Sequence, residues 1–129
     1  METAFKVTHK NLRVMCWNCE KMGLTSPLKI TWFLRYVEIH KPHVICLQET
    51  SSRLIKVKGY NHYLCKNVTN SLNGGAAIYV QAELGTAVQV PNPKPNVAEI
   101  NLLDWGLTIL NIYMAPVLKS RVPEYDAMI

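Results

Sequence analysis

"VICLQE", Val44 to Glu49, is the stretch from which the architecture can be read. Four apolar residues run without alternation and then give way to two polar ones. A strand wetted on one face alternates apolar with polar, so an unbroken run belongs to a strand covered on both faces. Upstream, Leu12-Arg13-Val14-Met15-Cys16-Trp17-Asn18 reads as another short buried strand with a polar end. Gly23 to Pro27 forms a turn, in which Ser26 suits an N-cap and Pro27 the first helical position. Ile30, Phe33, Leu34 and Val37 follow at i, i+3, i+4, i+7, which predicts a helix with these four on its core face. Lys41-Pro42 stops it. Strand, helix and strand within about 38 residues make a crossover unit, and such a unit joins parallel neighbours.

Beyond Gly59 the texture turns to strands, at Gly59 to Lys66, Ala76 to Val80, Ala87 to Val90, Val97 to Leu103 and Leu107 to Tyr113. Asn73-Gly74-Gly75 and Asp104-Trp105-Gly106 supply hairpin-type turns, and Pro91 to Asn96, with three prolines, is an irregular loop. Ser120 to Ile129 reads as the start of a helix, so the sequence is expected to stop inside an element. The class is α/β.

With 129 residues, 49% of them hydrophobic and 18% charged, the chain has the composition of one globular domain, not of a disordered segment. It lacks the roughly 20 consecutive apolar residues of a membrane span, and its first residues lack the apolar core of a secretory signal. The expected location is therefore intracellular, nuclear or cytoplasmic, with reduced cysteines. Fourteen Lys and Arg against nine Asp and Glu leave +5, which suits a polyanionic partner. The densest basic run, Arg53, Lys56 and Lys58, lies in one loop, where it is either a solvated surface or a phosphate contact.

Cys16 and Cys19 have the spacing of half a zinc site, yet Cys46 and Cys65 lie 19 residues apart and form no second pair. A strand is also the wrong place for a redox C-x-x-C, which needs a helix N-terminus to lower its pKa. The four cysteines are therefore expected in the core. The polar residues at the strand ends are more informative. Asn18 and Glu49 terminate two strands expected to be parallel neighbours, and the carboxyl ends of such strands open onto the crevice where ligands of α/β sheets collect. One carboxylate with waters and substrate phosphate can hold Mg²⁺, so Glu49 is a candidate metal ligand. Plain solvation of a strand-terminal glutamate is the alternative.

In order and spacing, "LRVMCWN", "KPHVICLQET", "GGAAIYV" and "LTILNIYMAP" resemble the first half of the endonuclease/exonuclease/phosphatase superfamily. The closest likeness is to the endonuclease domains of non-LTR retrotransposons. It covers Leu12 to Pro116, residues 1–11 being a leader to a single partial domain. The fold implied is half of a four-layered α/β β-sandwich. By resemblance, Asn18 is the first-motif asparagine that orients the site, and Glu49 the glutamate that binds Mg²⁺. Tyr113 is the tyrosine that contacts the scissile phosphate. The chemistry implied is Mg²⁺-dependent hydrolysis of a DNA phosphodiester, with Arg53, Lys56 and Lys58 placed to meet the phosphate backbone.

The sequence departs from the family after Tyr113. The G-D-x-N and S-D-H motifs are absent, the acids beyond Tyr113 are Glu124 and Asp126 alone, and no histidine follows His62. Hydrolysis needs a positioned base and a charge stabiliser besides the metal, so the chain alone is expected to be inactive. Val117 stands where some relatives place a phosphate-contacting Asn, and "WNCEKM" lacks the small residues often seen after the first asparagine. A half-sandwich is further expected to leave a sheet face open, covered by a second copy or by a separate C-terminal half. A non-catalytic nucleic-acid-binding remnant, or a fragment of a phospholipid or small phosphoester hydrolase, are the other readings of the same residues.

Overall fold

A computed structural model of the chain describes residues 11–19, 26–50, 55–65 and 74–114. Its elements are β1 (Val14–Asn18), α1 (Pro27–His40), β2 (Val44–Gln48), β3 (Tyr60–Leu64), β4 (Ala76–Gln81), β5 (Ala87–Gln89), β6 (Val97–Leu102) and β7 (Leu107–Ile112). The expected helix 120–129, together with Asn73 and most of the turn before Pro27, lies outside the described residues.

β1 and β2 pair in parallel, with Val14 opposite Val44 and Asn18 opposite Gln48. They belong to a four-stranded sheet ordered β1-β2-β4-β3, in which β4 runs antiparallel to both β2 and β3. Because β2 is an inner strand, its apolar run is divided between two cores. Ile45 and Leu47 join Phe33, Val37, Ala77 and Tyr79 on the helix side. Val44 and Cys46 join Ile78, Val80, Ala98, Ile100 and Leu102 on the other. The second core lies beneath a three-stranded antiparallel sheet, β5-β6-β7, laid over β2, β4 and β3. The sheet face expected to stand open is thus covered by this chain's own second sheet. Gly106, at φ 62, closes the β6–β7 connection in the left-handed conformation, with its N–H donating to Leu103 O.

Helix α1 starts as its sequence dictates. Ser26 is the N-cap, its side chain accepting from Lys29 N at 3.4 Å, and Pro27 follows. Lys41 ends the helix at φ 46, its N–H donating to Val37 O at 2.8 Å. Phe33 and Val37 are buried, and Ile30 packs against them. Leu34, expected in the core, is 36% exposed. It borders a groove between the C-terminal half of α1 and residues 55–60 instead.

β1 is an outer strand of one sheet and β7 an outer strand of the other. Because β7 lies over β2, the two outer strands share one flank of the sandwich. No helix among the described residues is long and apolar enough to cross a membrane.

Candidate active site at the strand ends

The parallel register carries Asn18 and Gln48 to the same end of the sheet, and Glu49 follows at once. Glu49 turns the chain out of the sheet at φ 56, a left-handed conformation unfavourable for a residue with a Cβ. Its N–H donates to Gly75 O at 3.0 Å, and the N–H of Cys19, next to Asn18, donates to Gln48 O at 2.8 Å. Neighbouring strand ends are thereby held together by main chain.

The second sheet reaches the same end through two asparagines. The Asn111 side chain, 3% exposed, donates to Leu47 O at 2.9 Å and Ala77 O at 2.8 Å, and its Oδ1 accepts from Gln48 Nε2. Asn96 Oδ1 accepts from Gly75 N at 3.0 Å, while its carbonyl accepts from Tyr113 N at 3.0 Å. Hydrogen bonds therefore run from Glu49 through Gly75 and Asn96 to Tyr113, which is 6% exposed. Asn18, Glu49 and Tyr113, separate in sequence, converge on one edge.

Lys56 and Lys58 do not join them. From Ile55 the chain lies on the helix side of the sheet, where Ile55 and Val57 enter the core and Ile55 O accepts from Tyr79 OH at 2.6 Å. Gly59 O accepts from Ala82 N at the far end, beyond β4. Lys56 and Lys58 consequently line the groove beside α1, with Arg35, Lys41, Glu38 and Glu83. Following Glu49 closely in sequence did not keep them near it. Arg53 lies outside the described residues.

The paired cysteines divide between the two faces of the sheet. Cys19 is buried on the helix side, whereas Cys16 stands opposite Cys46 in register. Cys16 is exposed, contrary to the expected core position, because β1 is an outer strand. Burial, and then the neighbouring Glu49 carboxylate, push the Cys19 thiol up to about 12. The thiol nearest Glu49 thus keeps its proton at neutral pH. Glu49 and Asn18 bring a carboxylate and an amide to this edge, oxygen donors of the kind that suit a hard cation such as Mg²⁺ rather than zinc.

Gln48, Asn96 and Asn111 were not singled out in the sequence. The signal for Asn111 was available: it is a polar residue inside the run Leu107 to Ile112, in phase with inward-facing Ile109. Its parity marks a buried side chain that must find partners.

No protein-family model matches the sequence, and no curated protein does. Solved structures do match. The AP endonuclease LMAP from Leishmania major superposes with a TM-score of 0.66 at 22% identity, over 86% of this chain and 43% of that one. The endonuclease domain of TRAS1, a telomere-specific non-LTR retrotransposon, gives 0.61 at 18% identity, over 90% and 52%. D. rerio TDP2, complexed with single strand DNA product, gives 0.58 at 12% identity, over 93% and 54%. The chain spans about half the length of each of these structures. At these identities the shared property is the backbone arrangement, and by that arrangement the chain has part of the endonuclease/exonuclease/phosphatase fold.

Proposed function

We propose that this chain is the amino-terminal portion of a Mg²⁺-dependent DNA endonuclease of retrotransposon type, which binds metal and phosphate but does not hydrolyse alone. The observation that carries this reading is the convergence of Asn18, Glu49 and Tyr113 on one edge, held there by Asn96 and Asn111. The structural likeness to the TRAS1 endonuclease domain and to AP endonuclease LMAP supports it. Glu49, with Asn18, would hold Mg²⁺, which when bound supplies charge neutralisation at the phosphate. Asn18 orients the bound group through its amide, and the Tyr113 hydroxyl donates to a phosphate oxygen. No described residue at this edge serves as a general base for water. The protein would act in the nucleus or cytoplasm.

Two measurements test this reading. Mn²⁺, a paramagnetic substitute for Mg²⁺, is expected to broaden the amide resonances of Asn18 and Glu49 selectively, and to do so no longer in Glu49→Gln. Supercoiled plasmid with Mg²⁺ is expected to stay intact above a Glu49→Ala control. Nicking that disappears in that control would mean the site is complete. Absence of any Glu49-dependent metal effect would leave a nucleic-acid-binding or scaffold remnant.

A further inference from the structure

Helix α1 is apolar around most of its circumference, although only Phe33 and Val37 are buried. Part of the remainder forms an ordered aromatic row. Trp32, Tyr36 and His40 follow at four-residue intervals along one flank, with ring centroids 5.5 and 4.2 Å apart. Trp17, adjacent in sequence to Asn18, continues the row toward the candidate site. Its ring stacks on Phe33 at 5.0 Å and lies 6.5 Å from Trp32. Trp32 is 56% exposed, so its ring is only partly used in packing. From Trp32 to His40 the row extends about 12 Å, eight residues at the helical rise.

Charge favours one kind of occupant. Lys29 lies on this flank near the top of the row. At its foot are His40 and Arg13, whose guanidinium Nη2 donates to Lys41 O at 2.8 Å, while the Lys41 side chain lines the groove on the other flank. The one acid of α1, Glu38, lies on the other flank and lines the groove there. Stacked aromatic rings bordered by cations, without a carboxylate among the described residues of the row, complement bases joined by phosphates better than they complement an apolar protein surface.

We propose that the row Trp17–Trp32–Tyr36–His40 is a stacking platform for a single strand of nucleic acid that passes over the Asn18–Glu49 edge. It rests on the reading that the chain handles DNA, and it places a binding surface outside the candidate catalytic residues. Bases stack on the exposed rings of Trp32 and Tyr36, while Lys29 and Arg13 meet the backbone. The platform has little sequence preference, because every base offers a π-face.

The test is metal-free. A fluorescein-labelled dodecamer of thymidylate is titrated with the full chain in EDTA and followed by anisotropy. Trp32→Ala and Tyr36→Ala are each expected to weaken binding by about tenfold or more, and Lys29→Ala to reduce the slope of log affinity against log salt by about one. Urea midpoints measured alongside should barely move for Trp32→Ala, which separates lost binding from lost folding. Unchanged affinity in both ring variants, or no binding by the parent chain, overturns the platform. So does a dimer of the parent chain that Trp32→Ala dissociates while oligonucleotide binding persists, since a second copy would then occupy the row. Ring-dependent binding without any Glu49-dependent metal effect would keep the platform and discard the endonuclease reading.

Discussion

Glu49 holds the left-handed conformation at φ 56, which glycine adopts without strain and a glutamate does not. The position therefore sets stability against function. Glu49→Gly is expected to be more stable than Glu49→Ala by about 1 kcal/mol in urea unfolding, with the metal donor gone from both. Asn111 makes the opposite case, a polar side chain on which packing depends. Asn111→Ala leaves Leu47 O and Ala77 O without its amide and Gln48 without its acceptor, so a loss of about 3 kcal/mol is expected. A loss below about 1 kcal/mol would mean that water replaces the side chain at little cost.

At the scale of elements, α1 was legible because its signals are local. Ser26, Pro27 and the spacing of Phe33 and Val37 act within a few residues of themselves, and the helix runs from Pro27 to His40. Leu34 was misread because the spacing rule gives a helix's apolar stripe but not its width, and the neighbouring segment 55–60 leaves a groove there. The end of the helix offers a test. Lys41 caps it at φ 46, and its carbonyl is already used by Arg13 Nη2 and Gln81 Nε2. Lys41→Gly removes the strain and keeps that carbonyl, so thermal unfolding should show stabilisation of about 0.5–1 kcal/mol. A destabilised variant would show that the Lys41 side chain contributes more than its backbone strain costs.

For the whole molecule, two cores share one central sheet, and the thiols report on both. Cys19 lies in the helix-side core and Cys46 in the core between the sheets, and burial is the leading reason that each thiol is pushed up to about 12. Burial moves the Tyr79 hydroxyl to about 12 as well. All three keep their protons longer in the folded chain than in the unfolded one. Their stabilising contribution is therefore complete below about pH 9 and declines as pH rises toward 12, by at most about 1.4 kcal/mol per pH unit for each proton. Urea midpoints measured from pH 8 to 10.5 should fall at the alkaline end, and a flat profile would contradict this burial. At pH 8, exposed Cys16 should react with a thiol reagent well before Cys19 and Cys46.

Short segments alone were enough to specify the crossover unit, the parallel pairing of β1 with β2, the arrival of Asn18 and Glu49 at one strand edge, and the succession of antiparallel strands. These follow from periodicity, caps and turns, which are properties of short segments and of the few ways to connect them. Three-dimensional packing was needed to show that the second sheet closes over the first, that Asn96 ties Tyr113 to that edge, and that Lys56 and Lys58 line the groove beside α1. The path of a loop and the partner of a buried amide depend on which faces pack together. Packing is a relation between segments far apart in the chain, and no local pattern of residues encodes it.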